Sequence, residues 1–252
     1  MGFISFLLSQ LLAAYTILVE PIVRTNFYRN LKKQVKVNPQ ARLLFYRTQI
    51  LWEWSWIIVL IVILIPQSDP LGYIGLTLPG MIGWIILAAL VFGIGLSTYL
   101  LHRNPRALES MKRSLENTSF LLPTTAREQN WYIAVAITAG ICEELLYRGF
   151  LLRYLSVYFF GLGWLLSSII SGVVYGLSRV GLGRKNIIQT MLNGFSFAIL
   201  YFLSGNLLST IGSSQPVALV GSVIPSIVFH ALADLRPIFL WQPVKVSKKK
   251  NK

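Results

Sequence analysis

Acid is scarce in this chain: nine Asp and Glu stand against 23 Lys and Arg, and charged residues of both signs fill only 13% of the 252 positions. A soluble domain usually carries roughly 25% charged residues, so an ordinary water-facing surface is excluded. Cysteine is limited to Cys142, which excludes an intrachain disulfide and reads as a small buried apolar residue. Internal repeats are absent, as is any low-complexity segment beyond the tail Lys248–Lys252. That absence argues against a carrier built from two repeated halves.

What the chain does have is apolar mass, with 54% hydrophobic residues and a mean hydropathy of +0.61. Composition alone therefore places it in the membrane class. The net charge of +14 does not point to nucleic acid, because the basic residues lie between apolar stretches. Such clusters set topology and touch anionic lipid headgroups.

A bilayer core of about 30 Å needs roughly 20 apolar residues per helix, and about seven stretches meet that requirement. They lie near 3–20, 50–66, 81–101, 131–155, 163–179, 187–204 and 217–233. Met1 to Val19 has no positively charged leader and no A-x-A-like cleavage site, so a retained first transmembrane helix is expected. Basic residues recur in alternate connections: 24–49 from Arg24 to Arg47, 102–130 from Arg103 to Arg127, then Arg184 and Lys185, then the C-terminal lysines. Segments 67–80 and 205–216 contain none. The expected fold is an all-α polytopic transmembrane bundle with an external N-terminus and a cytoplasmic C-terminus. Gly172-x-x-x-Gly176, with Gly93 and Gly95, reads as close helix packing, and Trp52, Trp54, Trp56, Trp131 and Trp241 read as interfacial anchors.

Against this background two adjacent acids, Glu143 and Glu144, stand inside the apolar stretch Trp131 to Phe160. A charge at membrane depth is expensive and marks a functional site by default. Successive helical residues point about 100° apart, so the two carboxylates diverge. Arg148 shares the Glu144 face and suits a salt bridge to it, which leaves Glu143 free to face a cavity. Desolvation turns an unpaired carboxylate of this kind into a general base suited to neutral pH. A purely structural ion triad does not require the surplus acid. His230 and Asp234, four apart in the last span, also share a face, and a carboxylate beside an imidazole orients the ring. By depth, both clusters can line one cavity open to the cytoplasm. His102 matches no motif and reads as interfacial.

The run Glu143-Glu144-Leu-Leu-Tyr-Arg148 resembles the first motif, E-E-x-x-x-R, of the CAAX-protease and bacteriocin-processing family of intramembrane peptidases. His230-Ala-Leu-Ala-Asp234 resembles its third motif, H-x-x-x-N or H-x-x-x-D, and Tyr175-Gly-Leu-Ser-Arg179 stands where its F-x-x-x-H second motif is expected. The resemblance covers about 131–234. It implies a membrane endopeptidase in which Glu143 activates a water, His230 ligates or donates a hydrogen bond and Asp234 orients it. The implied substrates are peptide or protein tails such as prenylated C-termini, peptide pheromones or bacteriocin precursors. A divalent metal is possible by resemblance. Arg179 departs from the pattern, since a guanidinium has no lone pair for a metal and keeps its proton. Two roles are open to it: stabilising an oxyanion, or pairing with Glu143 and silencing the site.

The chain thus divides into N-terminal spans with basic loops (1–130), a peptidase-like core (131–234) and a basic cytoplasmic tail (235–252). Site candidates are Glu143, Glu144, His230 and Asp234, supported by Arg148, Tyr175 and Arg179. Three functions follow: an endopeptidase, a silent relative acting in binding, immunity or assembly, and a proton-coupled carrier. Partners are the lipid bilayer and a cytoplasmic peptide or protein, without nucleic acid, and the family points to a bacterial plasma membrane.

Overall fold

The computed structural model describes residues 2–158, 163–205 and 221–240. Trp241, the lysine tail, most of the 205–216 connection and the first residues of the 217–233 stretch lie outside them. Every described element is a helix or a helical turn. Four helices are long and apolar enough to cross a membrane: α1 (Phe3–Gln34), α2 (Ala41–Leu64), α3 (Met81–Arg103) and α7 (Arg184–Ser204). With composition, this makes the chain an integral membrane protein. Among the described residues the other α-helices longer than one turn are α4 (Pro105–Leu115), α5 (Ala126–Glu144), α6 (Trp164–Leu177) and α8 (Ile224–Leu240).

Helix α1 runs well past the apolar stretch that marks it. Pro21 lacks an N–H and crowds the preceding turn, and the helix opens into a wider π turn at Tyr15–Val19 before continuing. Segment 24–49 is therefore not a basic loop throughout. Residues 24–34 belong to α1 and 41–49 to α2, which leaves only 35–40 as a connection, and Arg24 is only 2% exposed. Segment 102–130, read as a connection, contains α4. Asn104 starts it by accepting from the Ala107 N–H at 3.2 Å, with Pro105 at the first helical position. Helix α4 buries no residue; Leu108, Met111 and Leu115 recur on one stripe, with Arg106, Lys112 and Arg113 elsewhere. That pattern is an amphipathic interfacial helix. Residues 235–240, assigned to the tail, continue helix α8.

Helix α5 lies at the centre, packed against α2 on one side and α8 on the other, while α8 also contacts α3 and α7. Beyond Glu144 it widens into π turns at Leu145–Leu151 and Tyr154–Tyr158; such turns recur at functional positions. Small residues set the helix spacing. A Cβ on Gly172 would stand 3.1 Å from the Phe195 nitrogen, so the expected close approach falls between α6 and α7. Gly93 and Gly95 do not behave this way, for nothing lies within 4 Å of a Cβ built on either. Helix α3 sits at the rim and turns that face outward.

Gly140 has the greatest consequence for the site. A Cβ there would meet the Ala231 Cβ at 2.9 Å and the Ala231 nitrogen at 3.0 Å, and Ala231 adjoins His230. Gly140→Val is expected to force α5 and α8 apart and lower stability by about 1–3 kcal/mol. A thermal unfolding scan in detergent checks this. An unchanged midpoint contradicts the packing.

Candidate functional site

The two acids end α5 and are both buried, Glu143 at 1% and Glu144 at 0% exposure. The Glu144–Arg148 pair expected from their spacing is present, with Arg148 Nη1 donating to Glu144 Oε1 at 3.0 Å. Arg148 Nη2 also donates to the Gly194 carbonyl at 3.1 Å. The guanidinium lies 4.6 Å from the Tyr175 ring centre and 5.0 Å from that of Phe197. Such aromatic packing suits a desolvated arginine better than it would suit a lysine.

Glu143 is not the free carboxylate that its face of α5 suggested. Arg179 Nη2 stands 3.0 Å from both of its oxygens, and Arg24 Nη1 lies 2.6 Å from Oε1. Spacing within α5 cannot reveal either partner, because one comes from α1 and the other from the end of α6. Arg24 extends the network further. Its Nε donates to Glu20 Oε1 at 2.7 Å and its Nη2 to Glu53 Oε1 at 3.2 Å. Tyr147 donates to Glu20 Oε2 at 2.9 Å, and Gln49 donates to Glu53 Oε1 at 2.5 Å. Arg179 is steadied on its other side by the Tyr28 hydroxyl.

His230 joins the two acids. Its Nδ1 lies 2.8 Å from Glu144 Oε1, and the ring stacks on Phe197 with centres 5.3 Å apart. Nε2 points the other way, 3.3 Å from the Tyr175 hydroxyl, 3.5 Å from Asp234 Oδ2 and 3.8 Å from Glu143 Oε2. A carboxylate on Nδ1 holds that nitrogen as an N–H donor, while Nε2 faces the Tyr175 hydroxyl with two further carboxylates nearby. His102 takes no part; its ring bridges the Thr98 and Phe239 carbonyls at 2.9 and 3.1 Å. Cys142 is fully buried beside the cluster, as a small apolar residue.

These groups border a partly open cavity of about 260 Å³. Glu143, Tyr175, Arg179, His230 and Asp234 line it together, so Glu143 and the imidazole meet one hollow, while Glu144 lies behind it against Nδ1. Glu53, Arg24 and Tyr28 line it too. Leu115, at the end of the amphipathic helix α4, and Thr118 and Leu121 just after it also line the cavity.

The residues present do not fit a metal. Both Glu143 oxygens face guanidinium nitrogens, His230 offers only Nε2, and Arg24 and Arg179 put fixed positive charge on the wall. No grouping of three or more His, Cys, Asp or Glu among the described residues could hold a metal ion.

An all-helical membrane bundle with paired acids and an imidazole beside a partly open hollow belongs to the architecture of polytopic membrane proteins with a buried polar centre. Residues 128–213 match the family model described as type II CAAX prenyl endopeptidase Rce1-like, in agreement with the motif resemblance. The matched region contains Glu143, Glu144, Arg148, Tyr175 and Arg179, and stops short of His230. No curated protein and no solved structure matches the chain.

Participants outside the motif reading include Glu20, Arg24, Tyr28, Gln49, Glu53, Tyr147 and Phe197. A signal for three of them was in the sequence. Glu20 and Arg24 stand four apart at the edge of an apolar stretch, a helical ion-pair spacing, and Glu53 is an acid inside the 50–66 stretch.

Proposed function

We propose that this protein is a membrane-embedded endopeptidase of the CAAX-protease-like type, cutting a peptide or protein tail that enters from the cytoplasmic side. The observation that carries this reading is the His230 imidazole, which lines the cavity, is held at Nδ1 by Glu144 at 2.8 Å and meets the Tyr175 hydroxyl at Nε2 at 3.3 Å. That arrangement suits a general base. We assign the base to His230 rather than to Glu143, because a carboxylate between two guanidiniums is a poor proton acceptor.

In this reading a water beside Nε2 gives up a proton to the imidazole as its oxygen adds to the scissile carbonyl carbon. The oxyanion forms beside the Arg179 guanidinium, a fixed donor in a desolvated wall. Glu144, Asp234 and Glu143 surround the resulting imidazolium with negative charge. The tetrahedral species then collapses, the C–N bond breaks, and the amine leaves with the proton from Nε2. Glu143 thereby holds Arg179 and Arg24 in position.

Seven crossings complete the reading, with α5, α6 and α8 added to the four long apolar helices. The external N-terminus and cytoplasmic C-terminus then put Lys32, Lys33, Arg106, Lys112, Arg184 and Lys185 on one side. In this reading the cavity wall formed by Leu115 and Thr118 faces that same side. The membrane is a bacterial plasma membrane in this reading, which rests on the resemblance.

A second reading has its own observation. The Arg179–Glu143 contact, at 3.0 Å to both oxygens, is what a silenced relative with a binding, immunity or assembly role would carry. Reporter-peptide cleavage in proteoliposomes by wild type and Arg179→His, side by side, separates the two. The endopeptidase reading expects wild type to cleave and Arg179→His to slow by about 10²–10³, the usual loss for one oxyanion donor. An inert wild type with an active Arg179→His variant establishes the silent site instead.

A further inference from the structure

The Arg24 network does not balance. Glu20, Glu53 and Glu143 bring three negative charges to it, and Arg24 and Arg179 bring two positive ones. Nor is the surplus shared evenly. Both Glu20 oxygens have donors, from Arg24 and Tyr147, and both Glu143 oxygens face guanidinium nitrogens. Glu53 engages only Oε1, which accepts from Gln49 and Arg24. Its Oε2 is buried and meets no hydrogen-bond donor. The side chain is 2% exposed and lines the cavity. A buried carboxylate oxygen left in this state is strongly unfavourable unless a proton or a positive group arrives to meet it.

The cavity that Glu53 lines suits such a group. Tyr28, Phe45, Tyr46 and Tyr132 all line the same cavity. Their rings form a continuous series, with centres 6.1 Å apart from Tyr28 to Phe45, 6.1 Å from Phe45 to Tyr46 and 5.9 Å from Tyr46 to Tyr132. Aromatic faces beside a carboxylate attract a desolvated cation by their quadrupoles. A volume near 260 Å³ admits a side chain rather than a folded partner.

We infer that the Glu53 end of the cavity is an alkylammonium subsite, which takes a lysine side chain or free amino group of the bound peptide, with Glu53 turning its unpaired Oε2 into the cavity as the anchor and the tyrosine-rich wall around the stem. The substrate class of the site is then a peptide carrying an amine close to the bond that His230 addresses. The inference rests on the peptide-binding part of the endopeptidase reading, not on hydrolysis.

Binding is therefore the measurement. Three fluorescently labelled peptides of one apolar sequence are titrated against the full chain in nanodiscs. The first is acetylated and carries one lysine, the second is acetylated with norleucine in its place, and the third is the norleucine peptide with a free amino terminus. At least one amine-bearing peptide is expected to bind about tenfold tighter than the neutral one, the scale of a single charge-assisted hydrogen bond. Preference for the first identifies a side chain as the occupant, and preference for the third identifies the amino terminus. Glu53→Gln is expected to bring that ratio to within about twofold. Equal affinities in wild type, as a simple proton on Glu53 would give, overturn the proposal, and so does a ratio that survives Glu53→Gln. Should that variant not fold, wild type alone decides. n-Butylammonium chloride must displace the labelled peptide where equal n-butanol and sodium chloride do not, and failure to displace it overturns the proposal. Amine discrimination without any cleavage would sink the endopeptidase reading while leaving the subsite standing.

Discussion

Arg24→Met is expected to cost on the order of 3–5 kcal/mol of stability, the scale for breaking a buried ion pair by deleting one partner. Against a total of about 5–15 kcal/mol for a folded protein, much of the variant would be lost at expression. Arg24 contacts Glu20 at 2.7 Å, Glu53 at 3.2 Å and Glu143 at 2.6 Å. Removing it leaves those acids with Arg179 alone. Methionine fills the same volume, so little of the loss comes from a void. Arg29→Met is the matched control: Arg29 lies five residues on in the same helix and is exposed, and its loss should change stability by no more than about 0.5 kcal/mol. Thermal unfolding of both in detergent decides the matter. If the two variants melt together, Arg24 is an ordinary headgroup-facing charge and the network is not holding α1 against α2 and α5. Adding Glu53→Gln to Arg24→Met should recover part of the loss, because it removes one stranded charge.

That prediction turns on a residue whose role the sequence half concealed. Arg24 begins a basic stretch, and counting charge for topology groups it with Arg29, Lys32 and Lys33. Hydropathy finds where a helix is apolar, not where it stops, so the polar second half of α1 was read as a connection. The pairing of Glu20 with Arg24 four residues later was the available clue. The amphipathic helix α4 was hidden for a similar reason: its charge dominated the window, although Asn104-Pro105 and the stripe Leu108, Met111, Leu115 form a local start signal and a helical period.

The site itself was more legible, because a charge inside an apolar run is unusual enough to be found without a fold. Glu143, Glu144, Arg148, His230 and Asp234 all stand out in this way, and the Glu144–Arg148 pair follows from helical geometry alone. What linear spacing cannot supply is the partner across the bundle. Nothing local to Glu143 says that a guanidinium from α1 reaches one of its oxygens and another from the end of α6 reaches both. Nor does the four-residue spacing of His230 and Asp234 reveal that Glu144 lies closer to the ring, at 2.8 Å against 3.5 Å. The imidazole's orientation is a tertiary fact.

The same fact sets the second large effect. His230→Ala is expected to lower turnover of a reporter peptide by about 10²–10⁴, the usual contribution of a general base, with KM changed far less. The loss should fall on kcat because the proton moves only as the carbonyl is attacked. Glu144→Gln keeps an oxygen near Nδ1 but removes the charge that supports an imidazolium, so an intermediate loss is expected. Glu143→Gln is the discriminating variant. If Glu143 itself takes the proton, as the family resemblance implies, that change abolishes cleavage. If His230 does, Arg179 loses its rigid clamp and the rate falls without vanishing. Cys142→Ala should leave turnover intact, since the thiol is buried and faces no part of the reaction. Each variant is first checked for an unchanged unfolding midpoint. A His230→Ala enzyme that cleaves as fast as wild type removes the imidazole from the chemistry, whatever its contacts.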